Sequence, residues 1–258
     1  MGAATLNVTR APDGIVVRAW GPGARWAVEA APDLIGARDS LDGFDPRPGL
    51  VRDLHRRMPG LRIVRSRAVF EAIVPTVLAQ KVVGVEAGRA WSALVRALGE
   101  PAPVPAPPGQ RLRLPPSPGA LAALPYHAFH RFGVEMRRAN TIRGLAEHAA
   151  RLESAVDLPS DEARRLLTGF PGVGAWTAAE VALVALGDAD AVSVGDYHIP
   201  STVTWALAGE PRGTDERMLQ LLAPFMGHRG RVIRLIEAAG ISAPRFGPRS
   251  RARSSRRL

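Results

Sequence analysis

"GFPGVGAWT" occupies residues 169–177. Gly172 and Gly174 flank a single valine behind Pro171, and Trp176 opens the apolar run that follows. "DEARRLLT" (161–168) precedes it with helical spacing, and "AWTAAEVALVAL" (175–186) reads as a second, very apolar helix. The order is therefore helix, tight hairpin, helix. Glycine has no Cβ and reaches positive φ without a clash. Such a turn can lay its backbone N–H groups close against another surface. The positive end of the following helix lies beside it, so the pair suits a phosphate group. Val173 is placed to plug the gap between the two helices. A lone G-x-G is as well explained by turn geometry alone. Leu166-Leu167 and Phe170-Pro171 on one side, with small residues on the other, make this pattern more demanding.

Upstream, residues 4–29 read as strand-like, short and β-branched with Gly and Pro breaks, and predict a small antiparallel sheet. From about Leu50 the pattern turns helical. "SRAVFEAIVPTVLAQKVV" (66–83) puts Phe70, Ile73, Val74, Val77 and Leu78 on one stripe, with Ser66 as a possible cap and Pro75 as a kink or stop. "VEAGRAWSALVRALG" (85–99) gives a further helix. Residues 101–118 hold eight prolines and read as an extended connector. A long helix over 133–153, a helix capped by Ser160, and two helices after residue 214 complete the set. The expected organisation is a sheet-containing unit over 1–55, an all-α region over 56–244, and a basic tail over 245–258. The fold class is mainly α-helical with a small N-terminal antiparallel sheet, α+β overall.

The formal net charge is +10 and favours an anionic partner. Six arginines and no acid fall in 245–258, so the tail carries most of that excess. It reads either as a solvating segment or as a non-specific phosphate-binding arm. The absence of cysteine excludes disulfides, thiolate zinc sites and cysteine-held iron–sulfur clusters. The histidines lack metal-ligand spacing. No apolar stretch approaches a membrane span, and residues 1–10 lack the apolar core of a signal peptide. The expected location is the cytoplasm.

About twenty residues beyond the hairpin, "AVSVGDYHIPSTV" (191–203) delivers Asp196 ahead of another helix. On spacing alone Asp196 is either a helix cap or a functional carboxylate. Glu180 stands one turn after Trp176 and is the only charge in that apolar helix. It reads either as the partner of an arginine or as a pocket carboxylate.

Taken together, "FPGVGAWTA" (170–178), "GDYHI" (195–199) and "FEAIVPTVLAQKV" (70–82) resemble the helix-hairpin-helix DNA glycosylase superfamily, and within it the 3-methyladenine DNA glycosylase II type. The resemblance covers about residues 50–240. It implies a catalytic carboxylate at Asp196 and a substrate pocket beside Trp176, Glu180 and Tyr197. It implies DNA contacts from Gly172, Val173 and Gly174, with Gln80 and Lys81 filling the gap left by a flipped base. The implied activity is monofunctional hydrolysis of the N-glycosidic bond of alkylated bases, in base excision repair. The partner is duplex DNA with a damaged base, with no cofactor or metal, in a monomeric, nucleoid-associated protein.

Two features depart from that type. Its pockets often carry several aromatics, whereas this chain is 5% aromatic. The last helix carries Arg229, Arg231 and Arg234 instead. The alternatives are a hairpin protein that binds DNA without catalysis, and a glycosylase for a different damaged base.

Overall fold

A computed structural model describes residues 2–103 and 111–244. The expected tail, 245–258, lies outside the described residues, as does 104–110 within the connector. Strands β1 (Thr5–Ala11) and β2 (Gly14–Trp20) form a two-stranded antiparallel hairpin with Thr5 opposite Trp20. The sheet ends there. Residues from Ala24 onward, expected as strand, form helix α1 (Ala24–Leu34). The reason is visible in the sequence: "ARWAVEAA" is rich in alanine, a strong helix former, and buries Ala27, Ala30 and Ala31 on one face.

Helix α2 (Leu50–Arg57) follows, then α3 (Val69–Leu78). The apolar stripe of α3 is buried as its spacing predicts. The helix continues through Pro75 to Leu78, because Ile73 and Val74 before it and Val77 and Leu78 after it are all buried in one core. Ser66 does not cap α3. Its N-terminal donors, Val69 N–H and Phe70 N–H, are taken at 3.0 and 2.9 Å by the carboxylate of Glu153, more than eighty residues away.

Helix α4 (Gly84–Leu98) leads into the proline-rich connector. Its described ends pair with each other: Ala102 N–H donates to Leu112 O, and Leu114 N–H to Glu100 O. Helix α5 (Pro118–Ala123) is capped by Ser117 with Pro118 in its first turn. The expected long helix over 133–153 is two: α6 (Met136–Glu147) and α7 (Ala149–Glu153), separated at His148, whose backbone leaves the helical region.

Next come α8 (Ser160–Thr168), α9 (Ala175–Val181), α10 (Ile199–Ala208), α11 (Asp215–Leu222) and α12 (Arg229–Ala238). Beyond α9 the chain widens into a π-helical turn, Ala182–Leu186. The carbonyls of Val184 and Ala185 there accept from the N–H groups of Ser66 and Arg67.

Two cores position the site. The larger one gathers α3, α4, α6, α8 and α9 around Ile73, Leu94, Ile142, Leu167 and Val181. The second joins α10, α11 and α12 to α2, through Val203, Met218, Val232 and Leu54. Helix α2 therefore packs with the C-terminal helices and crosses the boundary expected at residue 55. Buried Arg231 fastens this group to the N-terminal segment. It makes two hydrogen bonds to Asp39, at 2.7 and 2.6 Å, and one to Ser40 O.

Candidate active site at the hairpin

The turn between α8 and α9 opens on one side and is braced on the other. Gly172 has φ 85°, in the region that favours glycine, and a Cβ there would lie 2.2 Å from Thr141 Oγ1 on α6. Gly174, expected to share this freedom, does not need it. Its backbone is extended, with φ −96°. A Cβ on Gly174 would meet nothing within 4 Å, so this glycine faces open space. Val173 is buried in the larger core between the two helices, in the plugging position.

Gln80, just beyond α3, spans the gap to the turn. Its amide nitrogen donates to Gly172 O at 3.0 Å and to Thr177 Oγ1 at 2.9 Å. Arg138, buried on α6, closes the C-terminal end of α3 by donating to Leu78 O at 2.7 Å. Lys81 follows, exposed, with the left-handed φ of 56°.

Helix α9 buries Thr177, Ala178, Ala179 and Val181 and turns its other face outward. That face carries Trp176 and Glu180, four residues apart and therefore stacked one above the other. Trp176 Nε1 donates to Asp196 Oδ2 at 2.9 Å. Asp196 Oδ1 accepts from His198 N–H at 2.7 Å and Ile199 N–H at 2.9 Å, closing the N-terminus of α10. Three donors thus hold one carboxylate, and the positive end of α10 faces it. Asp196 closes α10 with one oxygen and joins Trp176 with the other. The loop that delivers it is gripped in turn. Gly195, with φ 87°, donates its N–H to both oxygens of Asp215 in the first turn of α11.

Glu180 sits deeper in the same group. It accepts from the Ser193 hydroxyl, and its other oxygen lies 3.6 Å from Arg234 on α12. Arg234 makes its hydrogen bond to Glu237, at 2.8 Å. Burial pushes the Glu237 carboxyl above the usual range, Arg234 opposes this, and the charges of Glu180 and Asp196 add to it. Two surface hollows, about 510 and 310 Å³, lie at the β-hairpin turn and between Asp33, Arg38 and Gly187. Neither is lined by Asp196 or Trp176.

The overall arrangement has clear counterparts among known structures. The 3-methyladenine DNA-glycosylase of Archaeoglobus fulgidus superposes with a TM-score of 0.75 over 90% of this chain and 81% of its own, at 21% identity. The Clostridium acetobutylicum 8-oxoguanine glycosylase/lyase, solved with duplex DNA bearing cytosine opposite 8-oxoguanine, gives 0.70 over 92% and 82%, at 15% identity. The chain has the helix-hairpin-helix DNA glycosylase fold.

Mag1 of Schizosaccharomyces pombe, a 3-methyladenine DNA glycosylase solved with abasic DNA, shares this fold more loosely, with a TM-score of 0.54 over 83% and 97% at 17% identity. Among curated sequences, the probable bifunctional transcriptional activator/DNA repair enzyme AlkA of Mycobacterium tuberculosis is 35% identical over 157 residues, 60% of this chain. That match spans 30% of the relative's length. No family model matches the chain.

Within the fold, Trp176 meets Asp196, Glu180 lies one turn further along α9 and accepts from Ser193 of the loop that leads to Asp196, and Gln80 reaches the hairpin. Gln80's amide is committed to bracing the turn. Tyr197 does not line an enclosed pocket. It is 89% exposed and packs edge-on against His198. Lys81 stands clear at the surface. Sequence reasoning passed over Ser193, Asp215 and Glu237. Asp215 and Glu237 read as ordinary helix-surface acids; Glu237 pairs with Arg234 at i,i+3 spacing on α12, but only the folded chain brings Asp215 to the Asp196 loop and α12 beside Glu180. Among the described residues no group of His, Asp and Glu could hold a metal ion, and no helix is long and apolar enough to cross a membrane.

Proposed function

We propose that this protein is a monofunctional DNA glycosylase that releases alkylated bases of the 3-methyladenine kind from duplex DNA. The observation that carries the reading is Asp196, held by Trp176 and by two backbone N–H groups at the entry to α10, beside the open face of a glycine hairpin. The names of the Archaeoglobus and Mag1 neighbours, both 3-methyladenine glycosylases, and of the AlkA relative, a DNA repair enzyme, support it, while the Clostridium neighbour is a glycosylase/lyase for 8-oxoguanine.

Cleavage of an N-glycosidic bond leaves positive charge on the sugar as the base departs with the bonding electron pair. A fixed carboxylate near C1′ opposes that charge. At about 4 Å and an effective dielectric of ~20, the attraction is ~4 kcal/mol, or about a thousandfold in rate. Water then bonds to C1′ and loses its proton to Asp196 or to solvent, leaving an intact abasic site. An alkylated purine is already cationic and departs as a neutral base, so it needs little acid catalysis.

The base must first leave the stack. Gly172, Val173 and Gly174 would hold the backbone without reading sequence. Trp176 would form a wall of the pocket, with Glu180 facing the positive ring. Tyr197, so exposed here, would contact DNA at the mouth. Gln80 and Lys81 would approach the gap in the duplex, Lys81 from a turn that Gln80 and Arg138 fix in place. No step calls for a metal or an organic cofactor.

The test is release of free base from methylated duplex DNA, followed by chromatography. Release of methylated purines with strands left intact supports the reading. DNA binding without any base release would point to a hairpin protein lacking catalysis.

A further inference from the structure

Helix α12 brings two charged residues to the site that the chemistry above does not use. Arg234 and Glu237 stand three apart, one turn along the helix, with their side chains 34% and 36% exposed. Arg234 Nη1 donates to Glu237 Oε2 at 2.8 Å. Its other terminal nitrogen lies 3.6 Å from Glu180 Oε2, beyond hydrogen-bond distance. Glu180's remaining oxygen is taken by Ser193. Carboxylates therefore outnumber the guanidinium, with Asp196, Glu180 and Glu237 against Arg234. Arg234 is engaged by the outermost of the three.

We propose that Glu237 is a specificity-determining positioning residue: its hydrogen bond keeps Arg234 at ion-pair distance from Glu180, short of a hydrogen bond, and leaves the Glu180 carboxylate only partly matched and able to meet a positively charged base. This rests on the glycosylase reading of the site and names how that site sorts its substrates. A guanidinium hydrogen-bonded to Glu180 would pair with it more strongly than the 3.6 Å ion pair does, and a cationic ring would have to displace it. Closing the 3.6 Å gap takes rotation of one long side chain and no backbone movement. A neutral damaged base gains nothing from Glu180 in either arrangement.

The sign of the effect on catalysis follows from where the charge goes. The ring is positive while bound, and at the transition state the same charge is shared between ring and adjoining sugar, so Glu180 stabilises both to a similar degree. Glu237 therefore acts on binding and leaves the chemical step alone.

The experiment uses the full chain and single-turnover base release from a duplex with one 7-methylguanine, a cationic base. Hypoxanthine in the same position is the neutral arm, read by release or by duplex affinity. Glu237→Gln should raise the half-saturating concentration for 7-methylguanine about tenfold. The rate at saturation should stay within about threefold, and the hypoxanthine arm should not move. Adding Arg234→Met should restore the 7-methylguanine value, since no guanidinium is left to occupy Glu180. Melting followed by circular dichroism confirms that both variants fold. Equal losses on both bases, a loss without rescue, or no loss overturns the assignment. Wild-type protein that releases neither base overturns the glycosylase reading itself, a result distinct from an active wild type with an indifferent Glu237→Gln.

Discussion

Asp196→Asn separates the cap that Asp196 forms from the catalytic role proposed for it. The amide oxygen can still accept from His198 and Ile199 N–H, which Asp196 Oδ1 holds at 2.7 and 2.9 Å. The start of α10 should survive. The amide nitrogen then faces Trp176 Nε1, and two donors meet where a 2.9 Å hydrogen bond stood. Loss of that bond costs about 1 kcal/mol of stability, within the usual range for one net hydrogen bond. The catalytic loss is larger, because the charge itself disappears. The ~4 kcal/mol of attraction at 4 Å and a dielectric of ~20 sets an upper scale of about a thousandfold. Removal of a fixed transition-state group typically costs 10²–10³ in rate, on the order of 3 kcal/mol. The assay is single-turnover base release from a methylated duplex, with affinity measured by anisotropy on the same duplex. The expected outcome is a rate lower by at least about a hundredfold, with affinity near wild type. Wild-type speed would refute the argument and leave Asp196 as a cap alone. Asp196→Ala should be worse in stability, since the cap is lost too, typically by about 1 kcal/mol.

Gly172→Ala forces a Cβ against Thr141 at a positive φ and should lower the melting temperature, whereas Gly174→Ala meets no atom, should keep the fold and should weaken every duplex alike in titrations. Deletion of residues 245–258 should flatten the salt dependence of non-specific affinity, by ~0.9 in log–log slope for each phosphate that the tail neutralises, with base release at saturation unchanged. Burial alone would raise the Asp39 carboxyl, but its hydrogen bonds and ion pair with Arg231 outweigh this and hold it below the ordinary aspartate value. The stability it contributes is therefore present above that ordinary value and disappears as pH falls through the lowered folded-state value; a pH series of melts on wild type and Asp39→Ala should converge there, and at neutral pH the variant should lose about 3–5 kcal/mol for stranding a buried arginine. Borohydride should trap no covalent adduct on an abasic duplex: Trp176 has no amine, and Lys81, the sole lysine in the chain, is an exposed residue of the turn after α3. An adduct that disappears in Lys81→Ala would make Lys81 a nucleophile and the enzyme a lyase.

Local chemistry made the helical part of this fold legible. The stripe from Phe70 to Leu78 repeats at helical spacing, and the small residues after Gly174 leave a helix as the natural continuation. What the sequence hid was mostly long-range. Ser66 looked like the cap of α3 because it stands nearby, yet the donors of α3 go to Glu153, which only tertiary packing brings close. Strand was expected as far as residue 29 because Gly and Pro punctuate that stretch. The alanines at 27, 30 and 31 decide the matter, since they bury one helical face once α1 packs against the β-hairpin. The π turn after α9 has no local signature either. Its carbonyls are satisfied by Ser66 and Arg67, more than a hundred residues earlier.

The same contrast runs through the site. Asp196 offered two readings, cap or functional carboxylate, and the geometry shows the first and is compatible with the second. Oδ1 spends itself on α10, and that anchoring aims Oδ2 at Trp176. A free carboxylate would lose side-chain entropy on meeting a substrate; one already fixed by three donors has little left to lose. Glu180 also offered two readings, and here distance decides between degrees of pairing. Arg234 is near it but hydrogen-bonded to Glu237, a residue that sequence spacing could not connect to a loop forty residues away. Small displacements of one guanidinium therefore decide how much charge the pocket presents. That is why the choice of base was the least legible part of this sequence, while the hairpin, whose chemistry is written in consecutive residues, was the most.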